Sequence, residues 1–488
     1  MPKLKDILYK VSLLASSGDM NREIHEICFD SRKVSQHSVF VATRGTQSDG
    51  HQFINQALAA GATTIVAEEW PAETPENISF IKVADSAAAL GIMAANFYNN
   101  PSEKLKLVAV TGTNGKTTIA TLLYQLYMAI GHKSGLLSTI RNMSGEKERP
   151  ASHTTGDALQ INSLLAEMVE NGCTHCFMEA SSHAIDQRRI SGLKFQGAIF
   201  TNITHDHLDY HKTFDEYIKA KKRLFDDLPS TAFALINEDD RRGNVMLQNT
   251  KARKVTYGLK GMADYRARIV SDTLVGLEME IDQRQVWFTL SGEFNAYNLL
   301  AVYATACLLD ADQDDTLKHL SALHPVAGRF EKVAQGVGIT AIVDYAHTPD
   351  ALKNVLEAIE KLRTKNEQVI TVVGCGGNRD REKRPLMANI ACKYSDKVIF
   401  TADNPRNEQI SDIIDEMVKG VKSLDFKKTL TIADRREAIK AAVSMAQKGD
   451  IILVAGKGHE TYQEIAGVKH DFDDRKVLHE MIDKIFKK

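Results

Sequence analysis

The run Leu107-Val108-Ala109-Val110 stops at Thr111-Gly112-Thr113-Asn114-Gly115-Lys116-Thr117-Thr118, and a segment of helical period, Ile119 to Ile130, follows at once. Apolar strand, glycine-rich turn and helix in that order are the layout of a phosphate-binding loop. Gly112 and Gly115 let the backbone turn its N–H groups towards an anion, and the new helix aims its positive end at the same point. Lys116 is placed to reach the β- and γ-phosphates of a nucleotide, and the Thr117 hydroxyl to sit on Mg²⁺. The glycines stand closer together than in the common G-x-x-x-x-G-K-[ST] loop. A bare G-x-x-G is as often a plain helix start. Lys-Thr-Thr after an apolar strand is what favours phosphate.

The chain has 488 residues, enough for about two to four domains with their own cores. A net charge of −2 gives no reason to expect nucleic acid or a membrane surface as a partner. The opening Met-Pro-Lys-Leu-Lys-Asp has no apolar signal core, and no apolar run approaches the ~20 residues that span a bilayer. Cysteines stand at 28, 173, 176, 307, 375 and 392. Cys173 and Cys176 form one C-x-x-C without the second pair of a zinc site, so buried thiols in a reducing cytoplasm are expected.

Along the chain, residues 1–101 alternate strand and helix signals and read as a small α/β domain. Val39 to Ala42 and Thr64 to Ala67 are strand-like, Phe53 to Ala60 is helical, and Asn99-Asn100-Pro101-Ser102 closes the segment. Residues 102–328 follow, opened by the phosphate loop. Three apolar strands there, 107–110, 176–178 and 198–200, end in polar groups: the loop itself, Glu179-Ala180-Ser181-Ser182-His183, and Thr201 to His207. Ligand groups gather beyond the carboxyl ends of parallel strands, so these ends are expected to form a Mg²⁺–nucleotide centre. Gly135 to Thr139 is strand-like, and Thr155 or a neighbour is a candidate cap for a helix from Ala158 to Asn171. Phe214 to Phe225 is helical, and its Lys219, Lys221 and Lys222, read bare, form a solvated face. Residues 262–290 read as an antiparallel insert. A helix is expected over 298–309, with Asn295 either its cap or a nucleotide contact. Residues 329–488 hold four further strands, ending at Asp344, Gly374, Ala402 and Ala455, with helices between them: a second parallel sheet. The Gly374-Cys375-Gly376-Gly377 turn lacks dinucleotide spacing.

Gly112-Thr113-Asn114-Gly115-Lys116-Thr117-Thr118, Glu179-Ala180-Ser181-Ser182-His183, Thr204-His205-Asp206-His207-Leu208-Asp209, Gly328-Arg329, Asp344-Tyr345-Ala346-His347-Thr348-Pro349 and Gly456-Lys457-Gly458-His459-Glu460 resemble, in order, the motifs of the Mur ligases and their folylpolyglutamate synthetase relatives. With positions from residue 30 onwards, essentially the whole chain is covered. The resemblance implies an α/β protein of three domains: an N-terminal uridine-nucleotide domain, a central ATPase domain on a mostly parallel sheet, and a Rossmann-like C-terminal domain for the incoming amino acid. It implies a cytoplasmic monomer that uses ATP and Mg²⁺ to form an amide through an acyl phosphate, on small-molecule substrates. Thr117, Glu179, His207 and Lys221, the last as a carbamate, would hold magnesium. Lys116, Lys221, His207 and Glu179 would carry the chemistry. Gly112 to Thr118 with Asn295, Arg329, Asp344 and His347 would hold ATP. Phe29, Ser31 and Thr46-Gln47-Ser48 match positions on the uridine nucleotide, and Thr154, Thr155, Ser181, Gln187 and Arg189 those on the muramoyl dipeptide.

Asp403-Asn404-Pro405-Arg406 resembles the signature of family members that add meso-diaminopimelate, with Arg379, Gly456 and Glu460 matching the rest of that pocket. Diaminopimelate carries a second carboxylate at its far end, which a guanidinium pairs with bidentately; lysine has none. Glu460 would suit the distal ammonium. The same chemistry with L-lysine is the alternative. A folylpolyglutamate synthetase would lack the 30–48 segment and the Asp-Asn-Pro-Arg stretch. A nucleotide switch would hydrolyse ATP at a rate indifferent to acceptor and amino acid.

Overall fold

The computed structural model describes residues 1–486 apart from 46–47, 71–74, 152, 205–207 and 335–337, with the backbone alone at 208–209. Thr46, Gln47 and His207, three of the expected site residues, therefore lie outside the described residues. The chain forms two compact units, Met1–Gly112 with Leu123–Thr201 and Asp215–Thr256, and Thr113–Leu122 with Asn202–Phe214 and Tyr257–Lys488.

The first unit holds two sheets. In one, Glu26–Cys28, Ser38–Val41, Ala62–Ala67 and Ser79–Val83 run parallel, and Leu13–Ser17 pairs antiparallel to the last of these. Its period-two alternation sends Val39 and Val41 into a core with Leu4, Ile7, Ile24 and Met93, and Phe40 into a second with Ile54, Ala57 and Phe80. Both faces are covered at Ser38–Val41 and Ala62–Ala67, which is why these two strands read as apolar runs.

The other sheet orders its parallel strands Phe233–Asn237, Gly197–Phe200, Lys106–Thr111, His175–Glu179, Ser134–Leu137. Lys106–Thr111 sits where the order reverses, with one later strand on either side. That is a topological switch point, and ligands bind beyond the strand carboxyl ends there. A hairpin, Arg141–Ser144 and Lys147–Pro150, extends the far edge antiparallel. Helix Ala158–Glu170 is capped by Asp157, whose carboxylate accepts from the Gln160 N–H at 2.9 Å. The cap is thus the neighbour Asp157 and not Thr155 itself.

In the second unit, Tyr265–Asp272, Leu277–Ile281 and Arg284–Phe288 form the expected antiparallel insert. The next helix runs Glu293–Leu308, starting five residues before the expected 298. Gly292, at φ +96°, breaks the strand direction, and no side chain caps the helix. A six-stranded sheet follows, in the order Glu331–Ala334, Thr340–Asp344, Ile451–Ala455, Val369–Cys375, Lys397–Ala402, Thr429–Thr431. All its pairs are parallel except the first. Helices such as Pro349–Leu362 and Arg435–Met445 cover its two faces. Among the described residues no helix is long and apolar enough to cross a membrane, and all six cysteines are free thiols.

Candidate active site

Strand Lys106–Thr111 delivers the loop. Gly112 and Gly115 take φ of +150° and +89°, values L side chains rarely adopt, so the turn requires glycine at both. Asn202, just past strand Gly197–Phe200, holds the turn from both sides. Its carbonyl oxygens accept from the Thr113 N–H at 2.8 Å (main chain) and the Asn114 N–H at 2.9 Å (side chain). Its amide donates to the Asn114 carbonyl at 3.3 Å. The Lys116 ammonium donates to the Thr113 carbonyl at 2.8 Å, and the helix opens with Ile119 N–H on the Gly115 carbonyl.

The C-terminal segment supplies further groups to the same unit. Arg329 Nη2 donates to Thr117 Oγ1 at 3.0 Å, and its guanidinium lies 4.7 Å over the Tyr345 ring. The preceding Gly328 has φ +66°, and a Cβ there would fall 2.1 Å from the His459 nitrogen, so only glycine lets the linker pass. Asp344 Oδ2 accepts from the Phe330 N–H at 2.6 Å. Burial pushes its carboxyl up to about 6, although Arg329 pulls the other way. His459 is pushed down to about 3 by burial first and by Arg329 and neighbouring cations next, so it stays neutral. His347 Nδ1 lies 2.8 Å from the Tyr345 carbonyl. Asp350, which sequence reasoning passed over, accepts from the Asn114 amide at 3.2 Å and the Thr204 hydroxyl at 2.8 Å. Its position directly after the Asp344–Pro349 motif was the available signal.

In the first unit, Glu179 is a buried carboxylate, 1% exposed, in register with Val110 on the neighbouring strand. Its Oε1 accepts from the Thr139 N–H at 2.7 Å, and its Oε2 lies 3.2 Å from the Thr139 hydroxyl, which is 3.0 Å from that of Thr154. Thr155 donates to the Glu179 carbonyl at 2.8 Å and accepts from the Ser181 N–H at 3.1 Å. Ser181 caps helix Ser182–Asp186. Arg189 donates to the Thr155 carbonyl at 2.9 Å and to Gln187 Oε1 at 3.0 and 2.6 Å. The structure thus gathers Thr154, Thr155, Glu179, Ser181, Gln187 and Arg189 into one network.

The lysines of helix Phe214–Asp226 do not form a solvated face. Lys219 is exposed, but Lys221 is 1% exposed, donates to the Gly112 carbonyl at 2.8 Å and lies over the Tyr217 ring. Lys222 is buried against Asp226. Register on the helix, not residue type, decides which lysine turns inwards, and bare sequence does not reveal it. Ser31 donates to Gln56 Oε1 at 3.0 Å at the foot of the short turn capped by Asp30, with Phe29 exposed beside it. Ser48, also exposed, receives the Gly45 N–H on its carbonyl.

The expected diaminopimelate residues converge in the second unit. Arg406, at φ +51°, donates from Nη1 to the Gly377 carbonyl at 2.8 Å, and its Nε lies 3.4 Å from Glu464. A Cβ on Gly376 would sit 3.0 Å from Arg406 Nη1 and 3.8 Å from Arg379 Cγ; one on Gly456 would sit 3.6 Å from Asp403. Glu460 Oε2 accepts from the Asn404 amide at 2.8 Å and from Lys457 at 3.0 Å. Lys457 stands in the Gly456–Glu460 motif, between its two glycines. It is fully buried, also donates to Asn404 Oδ1 at 3.1 Å, and faces Asp403 at 3.7 Å. Hairpin Tyr462–Ile465 with Val468–Asp471 bridges back to Arg406 through main-chain bonds at Glu464 and Ala466.

Among the described residues no three His, Cys, Asp or Glu side chains cluster as a metal cage. Mg²⁺ needs no such cage, because it takes few protein oxygens and keeps the rest as water and phosphate.

Residues 23–98 match the family described as "Mur ligase family, catalytic domain", residues 110–306 the Mur ligase middle domain, and residues 328–458 the Mur ligase glutamate ligase domain. The chain belongs to the Mur ligase family. A UDP-N-acetylmuramoyl-L-alanyl-D-glutamate--2,6-diaminopimelate ligase of Cytophaga hutchinsonii is 59% identical to this Mur ligase, across 99% of this chain and 100% of that one. A solved structure of a ligase of that name is 34% identical, with a TM-score of 0.69 over 99% of each chain. The MurF ligase of Thermotoga maritima, solved in complex with ADP, shares the fold at 20% identity, with a TM-score of 0.61 over 95% of this chain and 98% of its own. The expected α/β fold with three Mur ligase domains and parallel-rich sheets is borne out. As a Mur ligase the chain is an ATP-dependent, amide-forming enzyme.

Proposed function

We propose that this Mur ligase joins meso-diaminopimelate to the D-glutamate side-chain carboxylate of UDP-N-acetylmuramoyl-L-alanyl-D-glutamate. The observation that carries this reading is Arg406. Gly377 and Glu464 hold its guanidinium near Arg379 and the Asn404 carbonyl, around the Gly376 turn, a cation suited to a distal carboxylate. Lysine would bring an ammonium without that carboxylate, and Arg406 would repel it. The names of the relatives point to the same amino acid.

A free carboxylate does not acylate an amine, because oxide is the leaving group. The carboxylate oxygen therefore bonds to the γ-phosphorus, the bond to the ADP oxygen breaks, and an acyl phosphate results. The diaminopimelate amine then attacks the acyl carbon, phosphate leaves, and the nitrogen loses a proton. Two anions must meet in the first step, which requires cations and N–H donors around the transferring group. Lys116 and the amides at the start of the helix would supply them, with Arg329 beside Thr117. Thr117, Glu179, His207 and a carbamylated Lys221 would hold Mg²⁺, whose charge offsets that of the phosphates. Carbamylation turns the buried Lys221 from a cation into an anionic oxygen ligand.

Residues 1–101, 102–328 and 329–488 are assigned to the uridine nucleotide, ATP and the amino acid. We assign the enzyme to the cytoplasm, as a monomer; six free thiols suit a reducing compartment. The test is product analysis. Incubation with ATP, the dipeptide nucleotide and meso-diaminopimelate should yield the tripeptide nucleotide by mass spectrometry. ADP without that product would reject the reading.

A further inference from the structure

Lys332 lies on the edge strand Glu331–Ala334, three residues after Arg329. Its ammonium is surrounded by oxygen. It donates to the carbonyls of Leu274 and Val275 at 3.0 Å each and of Thr289 at 2.9 Å, with the Ser291 hydroxyl at 3.3 Å. Three carbonyls use up the three hydrogens of an ammonium, and the hydroxyl adds a fourth, weaker contact. Rings of backbone carbonyls are also how proteins replace the hydration shell of a monovalent cation.

What these oxygens belong to gives the arrangement its consequence. Leu274 and Val275 form the turn after strand Tyr265–Asp272, and Thr289 and Ser291 end the insert. Asp272 Oδ1 accepts from the Gly292 N–H at 2.9 Å, next to the uncapped start of helix Glu293–Leu308. The Ser291 carbonyl accepts from the Asn295 amide at 2.8 Å, and Asn295 in turn accepts from Asn298 at 3.1 Å. One segment, 329–332, thus carries a guanidinium on Thr117 and an ammonium on the turn that holds Asn295.

We propose that Lys332 is a tethered monovalent cation, a positioning residue that sets the orientation of Asn295 and hence the affinity for nucleotide. The proposal rests on the reading of Asn295 as a nucleotide contact. Burial lowers the lysine to about 8, and the Asp272 carboxylate opposes that shift.

The test is cation rescue. In full-length Lys332→Ala, phosphate release is measured at varied ATP, with acceptor and diaminopimelate saturating, in choline, potassium or ammonium chloride at matched ionic strength. In choline the KM for ATP should rise about tenfold, with kcat changed far less. Ammonium or potassium should restore it, because either ion can enter the emptied carbonyl ring. Lys332→Met, which fills the space with an apolar chain, should show the same defect and no rescue. An unaltered KM in Lys332→Ala, or a defect that no cation relieves, would overturn the proposal. Should the alanine variant fold poorly, its melting temperature serves instead: selective stabilisation by ammonium over choline, absent from the unsubstituted enzyme, supports the proposal, and an equal response overturns it. Asn295→Ala separates the two readings, since an unchanged KM for ATP there rejects the nucleotide contact, whatever Lys332 does.

Discussion

Arg329 and Thr117 stand 212 residues apart in sequence, and the guanidinium of one donates to the hydroxyl of the other at 3.0 Å. A hydroxyl carries one hydrogen and two lone pairs, and the bond from Arg329 engages one of those lone pairs. The Tyr345 ring under the guanidinium fixes its plane. Arg329→Ala should lower kcat/KM for ATP by about 10²-fold, within the range for losing one preorganised donor at a transferring group. Arg329→Lys should recover little, because an ammonium cannot both stack on Tyr345 and reach Thr117 in that geometry. Steady-state phosphate release at varied ATP checks both.

Lys221 is the second point of leverage. Lys221 is buried and donates to the Gly112 carbonyl at the start of the phosphate loop. If its role is to carry a carbamate for Mg²⁺, Lys221→Ala should lose about 10²-fold or more in kcat, and formate or acetate should partly restore it by supplying a carboxylate in the vacated space. Full activity in the alanine variant would remove the carbamate assignment.

For the amino-acid pocket, Arg406→Ala should raise the KM for diaminopimelate by about 10²-fold or more while ATP affinity stays the same. The preference for diaminopimelate over lysine should shrink by a similar factor. Competition between the two amino acids at fixed ATP measures it directly.

Stability should respond to acid through His175. Its ring is packed among Tyr127, His132 and Phe177, with centroids 4.5, 5.1 and 6.3 Å away. Burial first, then His132 and Lys106, push it down from 6.5 to about 4. The unfolded chain takes up this proton as pH falls below about 6.5, while the folded chain refuses it until about 4. Stability present in full above pH 6.5 is therefore lost as pH falls through that window, by up to about 3 kcal/mol. His175→Phe should lose less stability than the unsubstituted protein between pH 7 and about 4.5, read by urea denaturation at each pH.

Sequence reveals best what burial on both faces makes continuous. Strands Lys106–Thr111, His175–Glu179 and Gly197–Phe200 appear as apolar runs because helices cover both sides, and their polar ends stand out by contrast. The hairpin Arg141–Ser144 with Lys147–Pro150 was invisible because its outer strand, Lys-Glu-Arg-Pro, is exposed throughout and has no apolar alternation. The helix start at Glu293 was hidden because Gly292 opens it by backbone conformation, while Asn295 resembles a cap.

The site divides the same way. Motif residues could be named because several short signatures occur in family order. Residues that act through long-range contact could not. Lys332 faces four oxygens 41 to 58 positions away. Arg384 is fully buried against Glu408 and Glu416, under the Gly376 turn of the amino-acid pocket. Lys457 had a readable signal, a cation between two glycines directly after the buried run Ile451–Ala455. Its partners, Asp403, Asn404 and Glu460, required the fold.

The most direct measurement is phosphate release by the purified enzyme with ATP and UDP-N-acetylmuramoyl-L-alanyl-D-glutamate, run with meso-diaminopimelate, with L-lysine and with neither. The account predicts turnover that requires both the acceptor and an amino acid, and that is faster with diaminopimelate by several powers of ten in kcat/KM. Phosphate release indifferent to acceptor and amino acid, or equal rates with the two amino acids, would contradict it.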